Sequence, residues 1–142
     1  MTKTATIRVP SLKVTVPLAA AALPRDLVPM DGPAGEPTIA VRGNVDRAAW
    51  AQSLPLTEIV EVGEVRIYVL HDVSDLDVDP KAAELSAVVS GHSHRPSAEV
   101  RDGVLFLNPG SAGPRRFSLP VTIAKLRVVG KSLSHELIEL AV

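Results

Sequence analysis

From residue 37 onward, apolar residues either alternate with polar ones or form short unbroken runs, and both patterns predict β-strands. The clearest are Thr57–Val62 and Val65–Leu70, which a Gly63-Glu64 turn joins into a hairpin. Further strands are predicted at residues 38–42, 87–90, 97–100, 104–107, 120–129 and 133–140. Because strands predominate, we expect a layered α/β domain with much antiparallel pairing.

Two short helices are predicted between these strands. Asp46 has the position of an N-cap for a helix that runs through Trp50 and Leu54. Asp79 and Pro80 begin the second helix, with Asp79 as its cap and Pro80 in its first turn. Both helices would pack on the faces of the sheets.

Residues 1–36 differ in character from the rest of the chain, since they hold five prolines and show no clear hydrophobic period. Short strands are predicted at residues 6–9 and 13–16, a helical turn at 18–23 and a loop at 25–36. The apolar residues are too few and too interrupted for a membrane span or a signal peptide. We therefore expect one domain over residues 1–142, with residues 1–36 atypical, in a cytoplasmic protein.

Charge and composition narrow the classes of function. The 142 residues include 15 basic and 16 acidic ones, for a formal net charge of −1. Without a basic block to follow a phosphate backbone, nucleic acid is not expected as the main partner. The chain has no cysteine, which excludes a disulfide framework, a thiolate nucleophile and a thiolate zinc site. Histidine, aspartate, asparagine and glutamate remain as candidate metal ligands.

Three predicted strands end in side chains that bind metals. Asn44 follows the strand at residues 38–42, His71 follows Val65–Leu70, and His92 and His94 follow the strand at 87–90. Ligands of α/β sheets bind beyond the carboxyl ends of strands, and one amide oxygen with imidazoles suits Mn, Fe, Ni or Zn. With His94 beside a second ion, a metal pair would bind a phosphate oxygen and supply hydroxide for in-line displacement.

Each of these side chains also has a structural interpretation. In that interpretation, His92 and His94 lie in a polar turn with their imidazoles hydrogen-bonded, and His71 pairs locally with Asp72. Asn44 is compatible with support of a left-handed turn. The four residues taken together favour the metal site.

Two further candidates are weaker. Asp46 is more readily explained as a helix cap than as a catalytic group. Arg116, next to Arg115, is of the type that binds a substrate phosphate, although a solvated loop face explains it as well.

Four motifs, in this order, resemble the calcineurin-like metallophosphoesterase superfamily, and most of all its small bacterial and archaeal phosphodiesterases. The resemblance covers about residues 40–142. The motifs are Val41-Arg42-Gly43-Asn44-Val45-Asp46, the strand-end His71, Gly91-His92-Ser93-His94-Arg95-Pro96 and Asn108-Pro109-Gly110-Ser111.

The resemblance implies an α/β fold of the αββα type: a layered sandwich of two mixed β-sheets with flanking short helices, whose N-terminal β-α-β portion is atypical or incomplete. It also implies a two-metal site that hydrolyses phosphoesters. Asn44, His71 and His92 correspond to ligands of one metal, and His94 to a ligand of the other. Asp46 would have a supporting catalytic role.

Further expectations follow from the same resemblance. Residues 108–111 would form a tight turn packed under the histidine pair, and Arg116 would contact the substrate. The metals would be divalent ions, Mn²⁺ first, with Ni²⁺, Fe²⁺ or Zn²⁺ as alternatives. The substrate would be a small phosphodiester or phosphomonoester, no membrane would be involved, and the assembly would be a homodimer.

Two superfamily motifs are absent from this sequence, namely an early strand that ends in Asp-x-His and a later Gly-Asp whose aspartate bridges the metals. Two functions are therefore open: a metal-dependent phosphodiesterase with impaired activity, or a catalytically inactive scaffold for protein–protein interaction, as in the superfamily's retromer subunit. Because the departures are confined to one end, we expect a truncated or altered reading of the N-terminal part rather than gradual loss of the site.

Overall fold

The computed structural model describes residues 4–6, 11–14, 39–113 and 115–141. Nine strands occur in these residues: β1 Thr4–Thr6, β2 Ser11–Val14, β3 Thr57–Val62, β4 Val65–Leu70, β5 Ala87–Val89, β6 Ser97–Arg101, β7 Val104–Asn108, β8 Thr122–Val129 and β9 Ser132–Glu139. Two 3-10 helices complete the described elements, Ala49–Ser53 and Val73–Asp75. The features predicted at residues 7–9, 15–16, 18–23 and 25–36 lie outside the described residues.

The strands form two sheets. The six-stranded sheet has the order β1-β3-β4-β5-β7-β6 and is mixed, because β4, β5 and β7 are parallel while β3 and β6 run antiparallel to β4 and β7. The second sheet has the order β2-β8-β9 and is antiparallel. This layering of one large mixed sheet with a smaller sheet agrees with the predicted α/β class.

A hydrophobic core lies between the two sheets. Ile67 of β4 and Leu107 of β7 pack in one cluster with Leu126 of β8, and all three are almost completely buried. Alternation explains this, since every second residue of β8 from Thr122 to Val128 is buried while Lys125 and Arg127 between them are exposed. The second sheet thereby covers one face of the first.

A second cluster lies on the other face of the large sheet. Tyr68, Val88 and Val104 point to this face, since they alternate along their strands with the residues of the first cluster. Leu76 and Leu85, from the segment between β4 and β5, pack against them. That segment is therefore part of the fold's packing.

Most predicted strands are confirmed. β3 and β4 have the predicted bounds, and the predicted strands from residue 87 to the C-terminus differ from the observed ones by no more than two residues at either end. The strand predicted at 38–42 is wrong over residues 39–42, which are irregular. Val41 is buried, but the Arg42 N–H bonds to the carbonyl of Pro55 in a loop, so no strand ladder forms.

The two predicted helices are wrong in their details. The first is a 3-10 helix whose N-cap is Ala48, without a side-chain cap, so Asp46 is not the cap. At the second, the Asp79 carboxylate accepts from the N–H groups of Lys81 and Ala82 as predicted, but only a single turn forms before Leu85. In the described residues, no helix has both the length and the apolar character needed to cross a membrane.

Candidate metal centre

The candidate site lies at one edge of the six-stranded sheet. Because β4, β5 and β7 are parallel, their carboxyl ends meet at this edge and bring His71, His92 and Asn108 to it. Thr57, the first residue of β3, pairs with Leu70, so the loop that precedes β3 reaches the same edge. That loop carries Asn44, and the sheet order thus gathers side chains from distant parts of the sequence.

Three donor atoms converge at this edge. The Nε2 atom of His71 lies 2.8 Å from Oδ1 of Asn44 and 3.0 Å from Nδ1 of His92. The two imidazoles meet edge to face, with ring centroids 5.0 Å apart and an interplanar angle of 82°. His71 Nε2 thus faces two potential acceptors, but it carries at most one hydrogen to donate. One cation among the three atoms would satisfy all of them.

The separations of these atoms fit a metal ion. Two ligands at right angles on a cation with bonds of about 2.1 Å lie about 3.0 Å apart. The observed 2.8 and 3.0 Å are close to that value. Neutral imidazole and amide oxygen suit Mn²⁺, Fe²⁺, Ni²⁺ or Zn²⁺. The residues present therefore fit one divalent cation.

The environment of His71 favours its neutral form. Burial lowers the pKa of His71 below its ordinary value of 6.5, and the neighbouring His92 and His94 lower the pKa further. The carboxylates of Asp46 and Asp72 act in the opposite direction. A neutral imidazole is the form that binds a metal.

Asp46 supports the loop that carries Asn44. Its Oδ2 atom accepts a hydrogen bond of 2.7 Å from the Gly43 N–H, and Asp46 is only 6% exposed. A Cβ atom at Gly43 would lie 3.0 Å from this oxygen and 3.2 Å from Nδ1 of His71. Glycine therefore allows the loop to pack against both side chains.

Asn108 holds the turn that carries the two histidines. His92 and His94 have φ values of 65° and 60°, in the left-handed region that non-glycine residues seldom adopt. The Asn108 amide donates to the Gly91 carbonyl at 2.9 Å and to the Ser93 hydroxyl at 3.1 Å. Of the residues 108–111 that were predicted to pack under the histidine pair, Asn108 makes these contacts with the turn.

His94 makes none of the contacts that join Asn44, His71 and His92. Its Nδ1 atom is buried and has no hydrogen-bond partner among the described residues. Burial, followed by the charge of Arg116 and then His92, lowers the pKa of His94. Arg116 is therefore near His94, and its own side chain is exposed.

A second cation has less support than the first. Within the described ranges, no group of three or more histidine, cysteine, aspartate or glutamate side chains is arranged to hold a metal. The set of Asn44, His71 and His92 is not such a group, because its third member is an asparagine. The described residues thus fit one metal and do not assemble a second ligand set around His94.

Asp72 lies at the site beside a residue that the sequence did not indicate as its partner. Its Oδ1 atom accepts from the backbone N–H and the hydroxyl of Ser74, and these bonds lower the pKa of Asp72. Its Oδ2 atom lies 3.6 Å from Nε2 of His92. The contact with His92 joins residues far apart in sequence and depends on the pairing of β4 with β5.

A cavity of about 180 Å³ opens beside His92, on the side of Asp72. Hydroxyl and charged groups of β6 line it together with Phe106, and the Arg101 guanidinium lies 4.9 Å from the centroid of the Phe106 ring. Arg101 is also paired with Glu99 at 2.8 Å. The cavity thus has charged and hydroxyl groups in its wall and adjoins the candidate metal centre.

Comparison with known protein families agrees with this site. The family model for the calcineurin-like phosphoesterase superfamily domain matches residues 22–131, well over half of the chain. The chain therefore belongs to the calcineurin-like phosphoesterase superfamily, a family of metal-dependent phosphoesterases. The family predicted from the four motifs is confirmed.

Individual relatives support the same assignment. A probable metallophosphoesterase of Methanocaldococcus jannaschii is 34% identical over 101 residues, which are 66% of this chain and 50% of the relative. The chain thus spans about half the length of this relative. A crystal structure of a conserved Streptococcus pneumoniae protein, described as a predicted phosphoesterase, has a TM-score of 0.59 and 27% identity over 70% of this chain and 61% of that one.

Vps29 of Chaetomium thermophilum shows the same fold at lower identity. Its TM-score is 0.64 with 18% identity, and the match covers 90% of this chain and 95% of Vps29. At this identity the similarity concerns the fold. Together with the S. pneumoniae structure, it confirms the predicted layered α/β fold.

Proposed function

We propose that this protein is a phosphodiesterase that depends on a divalent cation held by Asn44, His71 and His92. The observation that carries the proposal is the convergence of Asn44 Oδ1 and His92 Nδ1 on His71 Nε2, at 2.8 and 3.0 Å. Membership of the superfamily supports it. Such a cation, when bound, lowers the pKa of a coordinated water and polarises a phosphoryl oxygen.

The protein's own residues would orient the reacting groups. Asp46 would fix Gly43, and with it the loop position of Asn44, through the buried 2.7 Å hydrogen bond. Asn108 would fix His92 through the turn at Gly91 and Ser93. Pre-organised ligands lower the reorganisation needed when a phosphoester binds.

Arg116 and His94 would bind the substrate's phosphoryl group. The charge of Arg116 lowers the pKa of His94, which supports placing the two side chains near the same substrate group. A guanidinium is well suited to phosphate because it donates two parallel hydrogen bonds. The resemblance assigns His94 to a second metal instead, and we keep that role as the alternative.

The finer assignments are also proposals. We favour Mn²⁺, with Ni²⁺, Fe²⁺ or Zn²⁺ as alternatives, and a small phosphodiester or phosphomonoester as substrate. The cavity beside His92 would receive the group esterified to phosphorus. A single domain over residues 1–142, a cytoplasmic location and a homodimer complete the proposal.

Calorimetry and turnover test this function together. The full chain is titrated with Mn²⁺ and then assayed with bis-p-nitrophenyl phosphate. We expect binding of one Mn²⁺ per chain, and hydrolysis that His92→Ala abolishes while His135→Ala leaves it unchanged. His135 is the matched control because it lies on β9 in the other sheet. Absence of Mn²⁺ binding by the wild-type chain would overturn the proposal.

A second candidate function is an inactive scaffold of the same fold. The observation that favours it is the absence of Asp-x-His and Gly-Asp from the sequence, since a bridging carboxylate holds two metals together in the superfamily. A scaffold would bind no Mn²⁺, and its His71→Ala and His92→Ala variants would behave as the wild type. Metal binding without turnover would leave a metal site that lacks catalytic function.

A further inference from the structure

The Asp72 carboxylate is held between two partners. Its Oδ1 atom accepts from the Ser74 N–H at 2.9 Å and from the Ser74 hydroxyl at 2.8 Å, as the cap of the 3-10 helix Val73–Asp75. These two bonds fix the plane of the carboxylate. The remaining oxygen, Oδ2, faces Nε2 of His92 at 3.6 Å.

The two nitrogens of His92 therefore face different groups. Nδ1 lies 3.0 Å from Nε2 of His71, within the converging donor set, while Nε2 lies 3.6 Å from Oδ2 of Asp72. A neutral imidazole carries one hydrogen, on either nitrogen. A negative charge beside Nε2 stabilises the hydrogen there, which leaves the lone pair of Nδ1 directed at His71 and Asn44.

We propose that Asp72 is a positioning residue that holds His92 in the Nε2–H tautomer and so presents Nδ1 to the cation. The inference rests on the proposed function as far as the cation is concerned, whereas the tautomer is a property of the metal-free chain. Groups that orient a ligating histidine in this way typically change metal affinity about 10- to 100-fold when they are removed.

The substitution Asp72→Asn gives a sharp test. The asparagine Oδ1 atom can still accept from the Ser74 N–H, so the cap is preserved, but an NH₂ group then faces Nε2 of His92. A donor at that position favours the opposite tautomer, with the hydrogen on Nδ1. Ser74→Ala is the matched control, because it removes one bond to the cap and leaves the charge of Asp72 in place.

The tautomer of His92 is read from long-range ¹H–¹⁵N spectra of the metal-free full chain, and Mn²⁺ affinity from calorimetry. We expect Nε2–H in the wild type and in Ser74→Ala, a shift toward Nδ1–H in Asp72→Asn, and about 10-fold or greater loss of Mn²⁺ affinity in Asp72→Asn alone. Urea unfolding of each variant verifies that the fold is retained.

An unchanged Nε2–H tautomer in Asp72→Asn would overturn the inference and leave Asp72 as a helix cap. An altered tautomer with unchanged Mn²⁺ affinity would overturn the link to the metal. If the tautomer shifts as expected but the wild type binds no Mn²⁺, the positioning of His92 by Asp72 is supported and the proposed function is the part that fails.

Discussion

Asn108 is the side chain on which the histidine turn most depends. It is buried at the end of β7, its amide donates to Gly91 and Ser93, and its Oδ1 accepts from the Gly110 N–H at 2.9 Å. One side chain thus connects the turn after β5 with the turn after β7. The left-handed conformations of His92 and His94 persist because this network outweighs their intrinsic cost.

Replacement of Asn108 by alanine is expected to lower the free energy of unfolding by about 1–3 kcal/mol, because it removes the acceptor of the buried Gly110 N–H and one of the two donors to the Gly91 carbonyl. Mn²⁺ affinity should fall as well, since the turn that orients His92 loosens. Urea denaturation and calorimetry measure the two effects. Ser93→Ala is the control: it removes one of the partners at an exposed position and should have the smaller effect. Equal effects of the two substitutions would contradict this role of Asn108.

The pKa of His71 gives a prediction for the pH dependence of stability. Because the folded-state pKa is below the ordinary value of 6.5, the unfolded chain binds a proton at a higher pH than the folded chain does. The free energy of unfolding of the metal-free protein therefore decreases as pH falls below about 6.5, and the loss is complete below the folded-state pKa. Urea denaturation between about pH 8 and pH 5 measures this slope, and His71→Gln should reduce it. A slope that His71→Gln leaves unchanged would show that other groups cause it.

Among the connections between elements, the turn at Gly110 links the two sheets. Gly110 has a φ of 78°, and a Cβ atom there would collide with the side chain of Thr122 on β8. The Thr122 hydroxyl donates to the Pro109 carbonyl at 2.7 Å, so it is not free to move away. The chain after β7 therefore approaches the second sheet too closely for any residue larger than glycine.

Gly110→Ala and Gly103→Ala form a matched pair of substitutions. Gly103, in the β6–β7 hairpin turn, has a φ of 80°, but a Cβ atom there would meet nothing within 4 Å. Gly103→Ala should lower the free energy of unfolding by about 1–2 kcal/mol through backbone strain alone. Gly110→Ala should lower it by at least about 1 kcal/mol more, because of the collision with Thr122. Thermal or urea denaturation decides, and equal losses would refute the contact.

The loop from Gly43 to Leu54 illustrates how an element can differ from its sequence pattern. An acidic residue before an apolar run is typical of a helix cap, and Asp46 has that position. In the structure its carboxylate instead bonds to the Gly43 N–H three residues earlier, and the helix begins later, at Ala49. The sequence pattern therefore predicted that a helical segment lies here. The path of the preceding loop determined that the Asp46 carboxylate accepts from the Gly43 N–H and does not cap the helix.

For the molecule as a whole, the contact between the sheets supplies the main core. Leu126 of β8 is completely buried and packs in the same cluster as Ile67 and Leu107 of the large sheet. The candidate metal centre lies at the edge of the large sheet, and its residues are not part of this cluster. Core packing and the site are thus separable by mutation.

Leu126→Ala is expected to lower the free energy of unfolding by about 2–5 kcal/mol, since it opens a cavity between the sheets. Leu137→Ala, at a 37% exposed position on β9, should lower it by less than about 1 kcal/mol. Chemical denaturation measures both. In the absence of denaturant, the Mn²⁺ affinity of Leu126→Ala should equal that of the wild type, and a loss of affinity would mean that the core and the site are coupled.

Local chemistry explains what could be predicted from the sequence. The hairpin of β3 and β4 follows from alternating residues around Gly63-Glu64, and the β6–β7 turn from Asp102-Gly103, whose φ values of 50° and 80° suit a tight hairpin. The candidate ligands were found because each closely follows an apolar run. Both kinds of signal lie within a few residues of one another along the chain.

The remaining features depend on contacts between residues far apart in sequence. The sheet order places His71 beside Asn44 and His92, and the same parallel pairing brings Asp72 to within 3.6 Å of His92. No local pattern specifies such distances, because they arise only after β4, β5 and β7 adopt one register. The sequence therefore determines which side chains are available for chemistry, and the packing of the strands determines which of them meet: Asn44, His71 and His92 converge, and His94 makes none of their contacts.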